Sequence, residues 1–153
     1  MVKKFMLSIF LVCAFIGCEQ KGPSKEVVFV CNHGAARSPI AAAYFNKMVQ
    51  ENDLNFHAIF RGTEPDEALT LETAKGLTED GFDLSDYKPE KVSDQDVEEA
   101  YKVVTFDCSV PLKEPSALKE EWNGTPSISK DYKLARDAIK ENVEHLIESL
   151  KDE

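Results

Sequence analysis

A cysteine and an arginine six positions apart, with a serine directly after, stand out in this 153-residue chain: Cys31-Asn32-His33-Gly34-Ala35-Ala36-Arg37-Ser38. A thiolate is a strong nucleophile. An arginine fork can grip two oxygens of a tetrahedral anion. Four apolar residues, Val27 to Val30, run straight into Cys31, the pattern of a strand buried on both faces of a parallel sheet. After the loop, Ser38-Pro39 followed by Ile40 to Phe45 reads as a helix start, with Ser38 as N-cap and Pro39 at the first helical position. A helix beginning there points unpaired amides and its positive end at the loop, which favours a bound oxyanion and a thiolate. Gly34 allows the positive φ that a loop with inward-turned amides needs. The plainer alternative is a buried structural cysteine beside a surface arginine.

C-x5-R-S after a strand resembles the phosphate-binding loop of low-molecular-weight protein tyrosine phosphatases, and of the arsenate reductases built on the same fold. The wording Asn-His-Gly-Ala-Ala-Arg-Ser-Pro looks closer to the reductase branch, where an asparagine often stands at the place of Gly34; both residues tolerate the left-handed conformation. The Gly62-Thr63 turn in RGTEPDEAL and the segment Phe82-Asp83-Leu84-Ser85 extend the likeness. The resemblance implies an α/β three-layer sandwich, a central four-stranded parallel sheet flanked by helices. It also implies that Cys31 attacks phosphorus and that Arg37 holds the oxyanion with the loop amides of Asn32, His33, Gly34, Ala35 and Ala36. Ser38 would hydrogen-bond the thiolate.

Two departures divide the functional readings. The phosphatases carry an Asp-Pro before the last helix as general acid; here Thr125-Pro126 stands in its place and the chain contains no Asp-Pro. Asp131, Asp107 and Glu121 are the candidate substitutes. Arsenate reduction instead needs a second cysteine to release arsenite by forming a disulfide, and Cys108 falls about where the reductases place theirs. The third cysteine of thioredoxin-coupled members has no counterpart between Ser109 and Trp122, so an external thiol would complete that cycle.

Residues 1–17 read as a secretory leader: Lys3 and Lys4, an apolar run from Phe5 to Ile16, then Gly17 before Cys18. The run is short of the ~20 apolar residues that span a bilayer. Phe15-Ile16-Gly17-Cys18 resembles the lipobox of bacterial lipoproteins, which makes Cys18 the lipidation site. Residues 18–25 then form a tether and residues 26–153 the domain, exported to the cell envelope on the periplasmic side and held there by lipid. Removing the leader takes two lysines and no acid, so the net charge of −10 becomes more negative by two. Such a surface excludes nucleic acid, and leaves acyl chains as the membrane contact.

The rest of the chain must position the loop. Ile40, Tyr44, Phe45, Met48 and Val49 share a face of the first helix, and Phe56 to Phe60 is a second strand. A second helix is expected over Asp66 to Gly81, a short one around Asp94 to Ala100, a third strand over Tyr101 to Phe106, and a terminal helix over Ser129 to Leu150. This alternation predicts an α/β sandwich whose ligand lies at the carboxyl ends of its strands. Cys31, Arg61 and Asp107-Cys108 all fall at that edge. Arg61 is thus a possible second anion contact and His33 a hydrogen-bonding loop residue, with His57 in sheet packing and His145 in solvent. Cysteine and histidine spacing suggests no metal, and no organic cofactor is implied. Three readings remain: a cysteine-dependent phosphomonoester hydrolase of phosphotyrosine type, an arsenate reductase using Cys31 and Cys108, and an oxyanion-binding lipoprotein without turnover.

Overall fold

The structure, a computed structural model, describes residues 22–110 and 118–151. The leader, Cys13 and Cys18 lie outside the described residues. Four parallel strands form one sheet in the order β2-β1-β3-β4: β1 (Lys25–Cys31), β2 (Phe56–Gly62), β3 (Lys102–Thr105) and β4 (Leu118–Glu121). β1 lies inside the sheet, and Val27 to Val30 are wholly buried, as an uninterrupted apolar run requires. Alternation sends Val27, Phe29 and Cys31 to one face and Val28 and Val30 to the other.

The first face is covered by α1 (Arg37–Glu51), α2 (Leu71–Glu79) and α4 (Tyr132–Leu150), the second by α3 (Asp94–Glu99) and neighbouring coil. That is the expected three-layer sandwich with four parallel strands. On the larger side Phe29 stacks among Phe45, Phe106 and Trp122 with ring centroids 5.5–6.5 Å apart. Each such ring contributes roughly 1.5–3 kcal/mol by burial. The terminal stripe of Ala135, Ile139, Val143, Leu146, Ile147 and Leu150 is buried as its spacing predicts, and His145 is exposed.

Asp80 pins α2 between α1 and α4. The hydroxyls of Tyr44 and Tyr132 donate to its Oδ2 at 2.9 and 2.7 Å, and Arg136 donates to Oδ1 at 2.7 Å. Burial, reinforced by the Asp80 carboxylate, pushes the Tyr44 hydroxyl up to about 12 and raises Tyr132 in the same way, so both remain donors. Gly81, at φ +90°, ends α2: its amide reaches Thr78 O at 3.0 Å and the Phe82 amide reaches Leu77 O at 3.0 Å.

Several boundaries differ from expectation. α1 opens at Ala36 and starts at Arg37, so Ser38 is not the N-cap; its side chain faces Cys31 instead. α2 starts at Leu71, not Asp66, capped by the Thr70 hydroxyl accepting from the Thr73 amide. The amides of Asp66 and Thr70 are bonded to the Cys31–Arg37 loop, and that tertiary claim outweighs helix propensity. α4 starts at Tyr132 because Asp131 caps it. Lys25 belongs to β1 and not to a tether, with its amide on Asn55 O at 3.0 Å. His57 is half exposed, between Glu26 at 2.8 Å and Ser24 at 2.9 Å.

Candidate active site

β1 and β3 are adjacent while the chain leaves β1 toward β2, so the sheet switches winding direction beside Cys31, where open α/β sheets bind ligands. The loop from Cys31 to Arg37 is held from outside. The amides of Thr63, Glu64, Asp66 and Thr70 donate to the carbonyls of Cys31, Asn32, His33 and Ala35 at 3.2, 2.8, 3.0 and 2.9 Å. With those four carbonyls turned outward, the amides of Asn32 to Ala36 are left without a carbonyl partner among the described residues. A ring of such N–H groups ending in a helix N-terminus is an anion cradle. Gly34 takes φ +59° within it and lies against the backbone of Gly62.

Cys31 is buried at the head of α1, its Sγ 3.1 Å from Ser38 Oγ, and the Ser38 hydroxyl also lies 3.3 Å from Arg61 O. Arg37 is aimed by Asp107, whose Oδ2 accepts from its Nη1, and by the Phe106 ring 5.9 Å from the guanidinium. Asp107 itself sits at φ +47° and accepts from the Gly124 amide at 3.1 Å. It therefore ties the end of β3, the arginine and the turn after β4 together.

Each of the three carboxylates offered as general acids has a partner in the structure. Asp107 is committed to Arg37. Asp131 caps α4, accepting from the Leu134 amide at 3.0 Å. Glu121 lies 2.7 Å from Lys119, which holds its carboxyl below the usual range and thus ionised. Arg61 is no anion contact: it pairs with Asp96 at 3.1 Å and Glu90 at 3.3 Å, away from the loop. Burial alone would raise the Asp96 carboxyl, but bonds from Arg61 and Ser93 pull it below its ordinary value. His33 stands on the exposed rim, Nδ1 3.3 Å from Asp66.

Cys108 places its Sγ 3.4 Å from Val30 O, one residue before the candidate nucleophile. It packs with Val28 and Val30, on the face of the sheet opposite Cys31. Burial pushes the Cys108 thiol up, and the neighbouring charges of Cys31 and Asp107 add to that. Both cysteines are free thiols.

Beside Arg37 opens a cleft of about 360 Å³, with Ala36 and Arg37 at its base, Thr70 and Glu72 on one wall, and Thr125 to Ser129 on the other. Glu72 carries no signal in the sequence, where it reads as one more polar residue of a helical stretch. Among the described residues there is no group of three metal-binding side chains, and no helix long and apolar enough to cross a membrane.

The model of the low molecular weight phosphotyrosine protein phosphatase family matches residues 26–123, which take in all four strands, the Cys31 loop and Cys108. The chain belongs to that family. A Halobacterium salinarum protein provisionally named an arsenate reductase is 27% identical over 128 residues, 82% of this chain and 89% of its own length. Among solved structures, a Vibrio cholerae low molecular weight phosphotyrosine phosphatase superposes with a TM-score of 0.72 at 17% identity, over 84% of this chain and 97% of the other. An Archaeoglobus fulgidus arsenate reductase gives 0.64 at 26% identity, over 79% and 98%. The thioredoxin-dependent arsenate reductase of Corynebacterium glutamicum gives 0.71 at 23% identity over 84% of this chain, which spans only 63% of that longer protein. Proteins titled as phosphatases and as arsenate reductases thus share this fold.

Proposed function

We propose that this family member hydrolyses phosphate monoesters of the phosphotyrosine type, with Cys31 as nucleophile. The observation that supports the reading is the loop's hydrogen bonding: four carbonyls bonded to the segment after β2, five amides left without a carbonyl partner among the described residues, and a sulfur 3.1 Å from Ser38 Oγ. In the reaction the Cys31 sulfur forms a bond to phosphorus as the ester oxygen leaves, and water then displaces the sulfur to release phosphate. Arg37 and the loop amides hold the non-bridging oxygens throughout, and Ser38 donates to the departing thiolate. With each of the three anticipated carboxylates engaged by a partner, we read the site as suited to aryl esters, whose leaving groups are already good.

The alternative, reduction of arsenate, draws on the Halobacterium and Archaeoglobus relatives and on the closeness of Cys108 to Val30. Geometry disfavours it. Cys31 packs with the Phe29 cluster and Cys108 with the Val28 and Val30 cluster, and burial raises the Cys108 thiol, which makes it a poor attacker at neutral pH. Hydrolysis of p-nitrophenyl phosphate is expected to survive Cys108→Ser within about threefold, a change small beside the ~10² to 10⁴-fold of a lost catalytic group. Thiol-dependent arsenite formation that vanishes in the same variant would reverse the assignment.

We further propose, from the leader read over residues 1–17 and the Cys18 lipobox, that this activity lies at the cell envelope, on the periplasmic side, attached through acyl chains. Metabolic labelling with a palmitate analogue is expected to mark the wild type and not Cys18→Ser; labelling unaffected by the substitution would remove the anchor from the proposal.

A further inference from the structure

The cleft beside Arg37 is not electrically what a phosphate site would be if built for phosphate alone. Among the described residues Arg37 is the one basic side chain lining it, and it is paired with Asp107. Glu72, exposed at the start of α2, adds a carboxylate to the same cleft, in which Lys75 and Lys133 have no part; they share with it an adjoining groove. Glu72 is also not free to swing away on a loose loop. Thr70, two residues before it, is fixed to the catalytic loop by its amide on Ala35 O at 2.9 Å and caps α2 through its hydroxyl. With the Arg37 charge met by Asp107, the Glu72 carboxylate is the charge the cleft presents, in a chain whose net charge is already −10.

A phosphate dianion held by the loop amides must therefore sit near a like charge, which lowers affinity for a substrate with no positive charge of its own. A substrate that carries a cation beside its phosphate turns the same carboxylate into an attraction. This is how a fixed charge discriminates between partners rather than binding all of them. The opposite wall supplies the rest of the recognition: Pro126 and the buried Ile128 are apolar, with the hydroxyls of Thr125, Ser127 and Ser129 around them. Such a wall can take the flat face of an aryl group while the cationic part lies across at Glu72.

We infer that Glu72 makes this cleft selective for phosphotyrosine carried on a basic peptide, an inference that rests on the hydrolase reading above. Two phosphotyrosine peptides of equal length, one with lysines and one with glutamates flanking the phosphorylated residue, test it through the ratio of their kcat/KM values. Wild type is expected to prefer the basic peptide roughly fivefold, the upper end for one exposed ion pair. The ratio should fall toward one in Glu72→Gln, invert in Glu72→Lys, persist in Glu72→Asp, and shrink in high salt. Because each variant serves as its own reference, a general loss of activity cancels.

A ratio near one in wild type, or a preference that Glu72→Gln leaves intact, overturns the inference while p-nitrophenyl phosphate turnover keeps the hydrolase reading standing. If wild type turns over no ester at all, the hydrolase reading falls separately, and the same ratio taken as Kd on Cys31→Ser decides the charge preference. Equal affinities, or no binding of either peptide, overturn it there as well.

Discussion

Cys31→Ser is expected to lower p-nitrophenyl phosphate turnover roughly 10⁴-fold or more while leaving oxyanion binding nearly unchanged. The two halves of that expectation have different physical origins. Turnover depends on a sulfur–phosphorus bond that a serine hydroxyl, with no base beside it to remove its proton, cannot form at a useful rate. Removing a nucleophile that works as part of a unit takes away almost the whole of the unit's effect. Binding depends on the five loop amides, the α1 N-terminus and Arg37, none of which the substitution touches. A serine Oγ is also small enough to stay near Ser38, 3.1 Å from the present sulfur, without displacing the loop. Steady-state kinetics and calorimetric titration with inorganic phosphate, which the loop holds without a bond to sulfur, measure the two halves independently. Residual hydrolysis above about a tenth of wild type would assign the nucleophile elsewhere, and loss of phosphate binding would mean that the sulfur holds the loop together. This variant also separates catalysis from simple capture of an anion, since an anion-binding protein would show no turnover to lose.

What could be read from the chain alone was what is local. Val27 to Val30 form a buried strand because nothing polar interrupts them, and the cradle follows from eight consecutive residues. What depends on distant residues meeting was out of reach. Asp107 is seventy positions from Arg37, and its type invites the reading of a general acid; only the ion pair shows that it aims the arginine. Arg61 stands at the correct edge of the sheet, but Asp96 and Glu90 claim its guanidinium from the far side. β4 is Leu-Lys-Glu-Glu, three polar residues of four, and an edge strand gives no apolar period to detect. Asp66 to Thr70 look helical and are not, because the amides at the two ends, of Asp66 and Thr70, are spent on loop carbonyls. Cys108 stands about where the reductases carry their second cysteine, but its packing with Val28 and Val30, with its sulfur 3.4 Å from Val30 O, joins residues far apart in the chain and is seen only in the fold.

The cradle also has a dependence that its own sequence conceals, and Gly62→Ala is expected to expose it. Gly62 ends β2 directly behind the loop. A methyl group there would stand 2.8 Å from Gly34 N, 2.9 Å from the His33 carbonyl carbon and 3.1 Å from Asn32 O, all of them backbone atoms. No side chain can rotate to make room. Nor can the glycine retreat, because its amide is bonded to Glu90 O at 2.8 Å, its carbonyl accepts from Val92 N at 2.9 Å, and it pairs with Cys31 across the sheet. The loop has to yield instead, and its amides are what it displaces. Overpacking of this kind typically costs about 1–3 kcal/mol of stability. Because a shift of about 1 Å in a reacting geometry can cost ~10²-fold in rate, kcat/KM should fall about a hundredfold even where the protein is fully folded. Chemical denaturation gives the first quantity, and kinetics on folded protein at low temperature the second. A variant that loses stability but keeps wild-type kcat/KM would show that the loop holds its shape without the close approach of Gly34 and Gly62. The inverted loop would then be a property of its own residues alone, and the contact with β2 a matter of packing.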